Sequence, residues 1–168
     1  VIIYHLSMGT GLNEWIKSVD CRKICIYHNI TPPAFFERYN TSLYKLCKTG
    51  LREVEGLKDE FDFVWADSEF NKQNLLEMGY RCPISVLPIL IPFEDYRVSS
   101  DQHVLSQYND NYTNILFVGR IAPNKKYEDI ISVFNCYQKL YNPNSRLILV
   151  GSYEGTENYY ERLNEYVD

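Results

Sequence analysis

Two groups of residues in this sequence have the types and spacing to do chemistry. The first is Phe117-Val118-Gly119-Arg120, followed by Asn124-Lys125-Lys126 and a helix-length amphipathic stretch. Gly119 permits a tight turn and close backbone approach. Arg120 offers a planar fork to phosphate, and Lys125, five residues on, a mobile point charge. The helix start beyond them adds partial positive charge and free N–H groups. Together they suit a diphosphate whose departure needs charge stabilisation, although a solvated basic loop would use the same residue types. The second group is histidine. His28 ends an apolar run, beside Asn29 and ahead of Thr31-Pro32-Pro33, where an imidazole can hydrogen-bond a sugar hydroxyl or steady developing charge. His5 has the same placement; a satisfied histidine at a sheet edge is the plainer reading of both. Nothing is assigned to His103.

Other motifs point to less. Gly9-Thr10-Gly11 opens like a G-x-G-x-x-G dinucleotide fingerprint, but Glu14 occupies the third glycine position. The next apolar run ends in His28 and Asn29, not in the acid that would hold a ribose. The turn is therefore read as a flexible, backbone-lined loop beside a cleft. Asp67-Ser68-Glu69 reads as a helix cap with first-turn acids. Neither a G-x-x-x-x-G-K-[ST] loop nor a G-x-S-x-G elbow is present, which speaks against P-loop hydrolysis and a hydrolase triad. The five cysteines, Cys21, Cys25, Cys47, Cys82 and Cys136, are odd in number and lack a second pair at zinc spacing. They fit free thiols in a reducing compartment, with no metal bound.

The elements that must position these residues alternate. Strands are predicted over 1–5, 23–28, 61–66, 84–87, 114–119 and 146–151, each a short apolar run rich in β-branched residues. Helices are predicted over 13–19, 41–58, 71–78, 127–141 and from 157 on, with Gly50 a weak point in the second and Gly79 a C-cap after the third. Apolar strands separated by helices imply α/β architecture with parallel sheets covered on both faces, and ligands beyond the carboxyl ends of the strands. Pro88, Pro92 and the polar run to Thr113 read as a connector. The expected division is the C-terminal part of a Rossmann-like domain over 1–92, a connector over 93–113 and the start of a second Rossmann-like domain over 114–168.

Length and charge bound the function. The 168 residues, with 45% hydrophobic and 23% charged, suit a globular chain rather than a disordered one. A net charge of −5 excludes broad electrostatic capture of nucleic acid. No apolar run approaches the ~18 residues of a membrane span. The 15 tyrosines are read mainly as amphipathic residues at the core edge.

The segment from Asn114 through Phe117-Val118-Gly119-Arg120 to Lys126, with Arg146-Leu-Ile-Leu-Val-Gly151 after it, resembles the opening of the nucleotide-sugar domain of family 4 glycosyltransferases. Tyr27-His-Asn-Ile-Thr-Pro-Pro33, Ala66-Asp-Ser-Glu-Phe-Asn71 and Val86-Leu-Pro-Ile-Leu90 resemble, in order, the second half of that family's acceptor domain. The resemblance implies a GT-B architecture of two Rossmann-like domains and metal-independent, anomer-retaining sugar transfer. It implies a nucleoside-diphosphate sugar as donor, no separate cofactor, and a carbohydrate or lipid-linked acceptor. Gly119, Arg120 and Lys125 would then hold the donor diphosphate, His28 would face the transferred sugar as the catalytic residue, and Gly9 and Gly11 would lie on the acceptor side. The setting it implies is surface polysaccharide or glycolipid synthesis in the cytoplasm, with peripheral contact at the inner face of the membrane.

The sequence departs from the family pattern in three places. A glycine-rich acceptor loop would precede Val1, the paired glutamates E-x7-E would follow Asp168, and Pro88-Ile89-Leu90-Ile91-Pro92 stands where many members have Asn-Gly. The chain is accordingly expected to be a central fragment without turnover of its own. Two other functions fit the same residues: a non-catalytic α/β module that grips a ligand or partner, and a nucleotide-sugar epimerase of GT-B type.

Overall fold

The computed structural model describes residues 1–167. They form two units, one comprising Val1–Glu37 and Thr41–Ile91, the other Arg38–Asn40 together with Pro92 onward.

Unit 1 runs β1 (Ile2–Leu6), α1 (Gly11–Lys17), β2 (Lys23–Tyr27), α2 (Thr41–Gly56), β3 (Phe63–Ala66), α3 (Glu69–Glu77) and β4 (Ile84–Val86). The four strands are parallel and lie in the order β1-β2-β3-β4. Helices α1 and α3 begin where side chains can receive orphan N–H groups. Thr10 Oγ1 accepts from the Leu12 amide at 3.0 Å, and Ser68 Oγ from the Asn71 amide at 3.2 Å. Gly79, at φ +91°, ends the turn after α3.

A strand order advancing in one direction through right-handed crossovers sends every connecting helix to the same face. Burial follows that rule. Tyr4, Leu6, Cys25, Tyr27 and Val64 are buried and share one core, in which Ile16 of α1, Cys47 and Val54 of α2, and Leu75 of α3 also pack; Ala66 is buried too. The alternate residues are less covered: Ile3 is 56% exposed, and Ile24, Ile26, Phe63 and Trp65 are half-buried. The expectation of burial on both faces is therefore corrected for this unit. Apolar residues at every strand position look two-sided in sequence, whereas only the crossover direction decides which side receives the helices.

Unit 2 contains α4 (Gln102–Tyr108), β5 (Thr113–Val118), α5 (Tyr127–Leu140), β6 (Ser145–Val150) and α6 (Glu157–Val167). β5 and β6 pair in parallel, from Thr113 opposite Ser145 to Val118 opposite Val150. Its buried core is small: Ile121, Tyr127, Tyr159 and Leu163. The stretch expected to be a plain connector holds α4, which Asp101 caps by accepting from the His103 amide at 2.8 Å. Both units are Rossmann-like α/β, built on parallel strands joined by helices. No helix among the described residues is long and apolar enough to cross a membrane.

Candidate functional site

In unit 1 the parallel register brings three polar residues to the carboxyl ends of adjacent strands. His5 pairs with Ile26, and Ile26 with Trp65. The ladder continues one step past the strands, with the His28 amide donating to Leu6 O at 3.0 Å and the Asp67 amide to Tyr27 O at 3.3 Å. Period-two alternation then places His5, His28 and Asp67 on one face of the sheet, the face opposite the buried core. Their side chains meet. His28 Nδ1 lies 3.0 Å from Asp67 Oδ2, and His28 Nε2 lies 2.8 Å from His5 Nδ1.

The cluster is held from behind. Asn29, at φ +70°, turns the chain away from β2 immediately after His28, a conformation asparagine tolerates better than most residues. Its Oδ1 accepts from the Ile30 amide at 2.7 Å and from the Tyr27 hydroxyl at 3.4 Å. Burial pushes the Tyr27 phenol up to about 12, against a smaller downward pull from the Ile30 backbone hydrogen bond. Asp67 itself is largely enclosed, its side chain 13% exposed against 32% for His28.

Sequence reasoning had weighed His28 and His5 singly and had read Asp67 as part of a helix cap. Ser68 is the cap, and Asp67 is the carboxylate beneath His28. The signal available in the sequence was positional: all three follow or end an apolar strand of one parallel sheet. Their pairing needed the register.

Gly9 lies on the loop from β1 to α1 and Gly11 opens α1, and the structure treats them differently. Gly9 is a close-approach residue: a Cβ there would come within 3.0 Å of the Gly50 amide nitrogen. Gly11 faces open space, with nothing within 4 Å of where its Cβ would be. The loop is also tied to α2 by Glu53, whose Oε2 accepts from the Thr10 amide at 3.0 Å and from Asn13 Nδ2. A flexible turn was expected; it is a pinned one. Gly50, expected to weaken α2, is the residue that lets the loop seat against it.

In unit 2 the loop after β5 carries Gly119, Arg120 and Lys125. Gly119 donates to Val150 O at 2.9 Å and Ile121 to Ser152 O at 2.8 Å, so the loops after β5 and β6 run side by side. A Cβ on Gly151 would fall 1.8 Å from Gly119 O, so only glycine fits there. The Tyr127 hydroxyl donates to that same Gly119 carbonyl at 2.6 Å, and Thr156 Oγ1 donates to Ile121 O. The loop is therefore braced from beneath while its cationic side chains stand outward.

Arg120 and Lys125 are both exposed. One Arg120 Nη2 hydrogen goes to Glu154 O at 2.7 Å, leaving most of the five guanidinium hydrogens free. Among the described residues, Lys125 Nζ has no hydrogen-bond or ion-pair partner. Lys126 adopts φ +51°, and its Nζ reaches Asp129 at 3.7 Å. The helix N-terminus expected to add free donors is partly closed: the Tyr127 amide donates to the Tyr159 hydroxyl at 3.0 Å, and Glu128 and Asp129 occupy the first turn. Glu157, nearby in sequence to the Gly155 turn, has its carboxyl held below the usual range by local backbone hydrogen bonds, its own and that of Gly155, and by the charge of Arg120.

No group of three or more metal-ligating side chains occurs among the described residues, and all five cysteines are free. Comparison with known proteins finds no matching family model, no matching curated protein and no matching solved structure.

Proposed function

We propose that this chain takes part in transferring a sugar from a nucleoside-diphosphate donor to an acceptor hydroxyl with retention, as a GT-B glycosyltransferase does. The observation that carries the reading is the loop from Gly119 to Lys126. It stands at the carboxyl end of a parallel strand, is braced by Tyr127 and Thr156, and presents the exposed cations of Arg120 and Lys125. Oriented cations of this kind bind the donor diphosphate and offset the negative charge that grows on it as the sugar departs, the largest electrostatic demand of such a reaction. The polar cluster of unit 1, in which His28 is held between Asp67 and His5, presents hydrogen-bonding capacity suited to a sugar hydroxyl. The acceptor is a carbohydrate or lipid-linked carbohydrate in this reading. The work takes place in the cytoplasm, with peripheral contact at the inner membrane face.

The test is binding of UDP and of inorganic pyrophosphate to the chain, read residue by residue by NMR. The expected result is perturbation centred on the amides from Gly119 to Lys126. Arg120→Ala and Lys125→Ala should each weaken binding on the order of tenfold, the usual loss for one hydrogen bond to a charged group. Perturbation elsewhere, with those amides unmoved, would refute the diphosphate assignment.

A second reading draws on the partly satisfied state of the same loop. Arg120 already serves Glu154 O, and Tyr159 already takes the Tyr127 amide, as expected of a loop stabilised for its own sake in a non-catalytic α/β binding module. Retention of UDP affinity in both variants would favour that alternative.

A further inference from the structure

The hydrogen bonds among Asp67, His28 and His5 have a direction. An ionised carboxylate only accepts, so Asp67 Oδ2 at 3.0 Å requires the proton on His28 Nδ1. A neutral His28 then presents a lone pair at Nε2. His5 Nδ1, 2.8 Å away, must be the donor, which leaves the lone pair of His5 on Nε2. Both nitrogens of His28 are thus engaged within the protein. His5 Nε2 has no partner among the described residues, and His5 is exposed on the less covered face of the sheet.

We propose that His5 Nε2, rather than His28, is the nitrogen through which unit 1 meets its ligand, and that it accepts a hydrogen bond from a sugar-acceptor hydroxyl. This rests on the sugar-transfer reading for the identity of the hydroxyl. The contact is a hydrogen bond with no proton transferred: the O–H donates to the lone pair that the His5 tautomer leaves free at Nε2. His28 and Asp67 are positioning residues that fix this tautomer through the two hydrogen bonds behind it.

The chain has three histidines, which makes the test direct. Nitrogen-15 spectra of the histidine side chains, taken at about pH 8 where an ordinary imidazole is neutral, should show His5 and His28 both protonated on Nδ1. Diethylpyrocarbonate should modify His5 on the order of tenfold faster than His28, because each His28 nitrogen must first leave a hydrogen bond. Asp67→Ala frees His28 Nδ1 and should close that gap, while the rate at His103 stays unchanged. A His28 that carries its proton on Nε2, or that reacts faster than His5, overturns the proposal. Free D-glucose and UDP-glucose are then compared as protectants. Protection of His5 over His103 by free glucose supports an acceptor hydroxyl at Nε2. Protection by UDP-glucose alone assigns the hydroxyl to the donor and overturns the acceptor assignment, and protection by neither overturns the ligand role. The tautomer measurement needs no nucleotide, so its failure is distinct from a failure of UDP to bind the loop after β5.

Discussion

Gly50 of α2 and Gly9 of the loop before α1 touch backbone to backbone: a Cβ on Gly50 would lie 2.7 Å from the Gly9 nitrogen and 2.9 Å from Ile30 Cδ1. Two effects oppose each other when Gly50 becomes alanine. Helix propensity favours alanine by about 1 kcal/mol, whereas forcing a methyl into packed backbone costs about 1–3 kcal/mol. Because a backbone atom, which cannot rotate away, blocks the site, overpacking should win. Gly50→Ala is expected to lower the urea midpoint of unit 1. Gly56→Ala, where the nearest atom is the mobile Lys17 Nζ at 3.7 Å, should leave it unchanged or raise it.

The loop after β5 depends on Tyr127. Tyr127→Phe removes the donor to Gly119 O and should cost about 1 kcal/mol, with faster amide exchange from Gly119 to Lys125. Gly151→Ala should do far more harm, because the methyl would overlap Gly119 O; the β5–β6 ladder is expected to lose its exchange protection. Equal protection in Gly151→Ala and the parent chain would contradict the geometry.

Unit 1 should lose stability in alkali. Burial pushes the Tyr27 phenol up to about 12, and burial also raises the Tyr80 phenol and the Cys25 thiol. Each group is neutral when protonated and holds its proton to higher pH in the folded state than in the unfolded chain. Above the ordinary thiol and phenol values of about 8.5 and 10, unfolding therefore releases protons. Stability is full below that range and falls by up to about 1.4 kcal/mol per pH unit for each group as the folded values are approached. Urea midpoints compared between neutral and alkaline pH should show the decline, and Tyr27→Phe should make it shallower.

Thiol reactivity should sort by position. Cys136 is exposed, Cys21 and Cys82 are intermediate, and Cys25 and Cys47 are buried, with burial holding both buried thiols above the usual range. Since the thiolate is the reacting form, iodoacetamide should label Cys136 first. Cys25 and Cys47 should follow only on unfolding, as peptide mass mapping would reveal.

The two units should differ in local stability. Among the described residues, unit 1 buries fourteen hydrophobic core residues beneath four strands, against four core residues beneath two strands in unit 2. On β5, Leu116 and Val118 remain 60% and 67% exposed. Two strands carry little independent stability. Hydrogen exchange should therefore be faster through β5 and β6 than through β2 and β3.

The alternation of short apolar strands with amphipathic helices was sufficient, by itself, to determine the α/β class and nearly every element. That information is local: strand and helix differ in the period at which apolar side chains recur. Gly119, Arg120 and Lys125 could likewise be picked out because they sit together on one loop. Non-local facts were hidden. Helix α4 was missed because seven polar-flanked residues after a proline-rich stretch carry too little periodicity to stand out. Gly50 looked like a helix defect because its reason for being glycine lies 41 residues away, at Gly9. The chain Asp67–His28–His5 spans three strands, and a one-residue slip of any strand would turn its member to the opposite face. Sequence determined which residues end each strand; only the parallel register and the direction of the crossovers decided that those three end on the same side, within hydrogen-bonding reach.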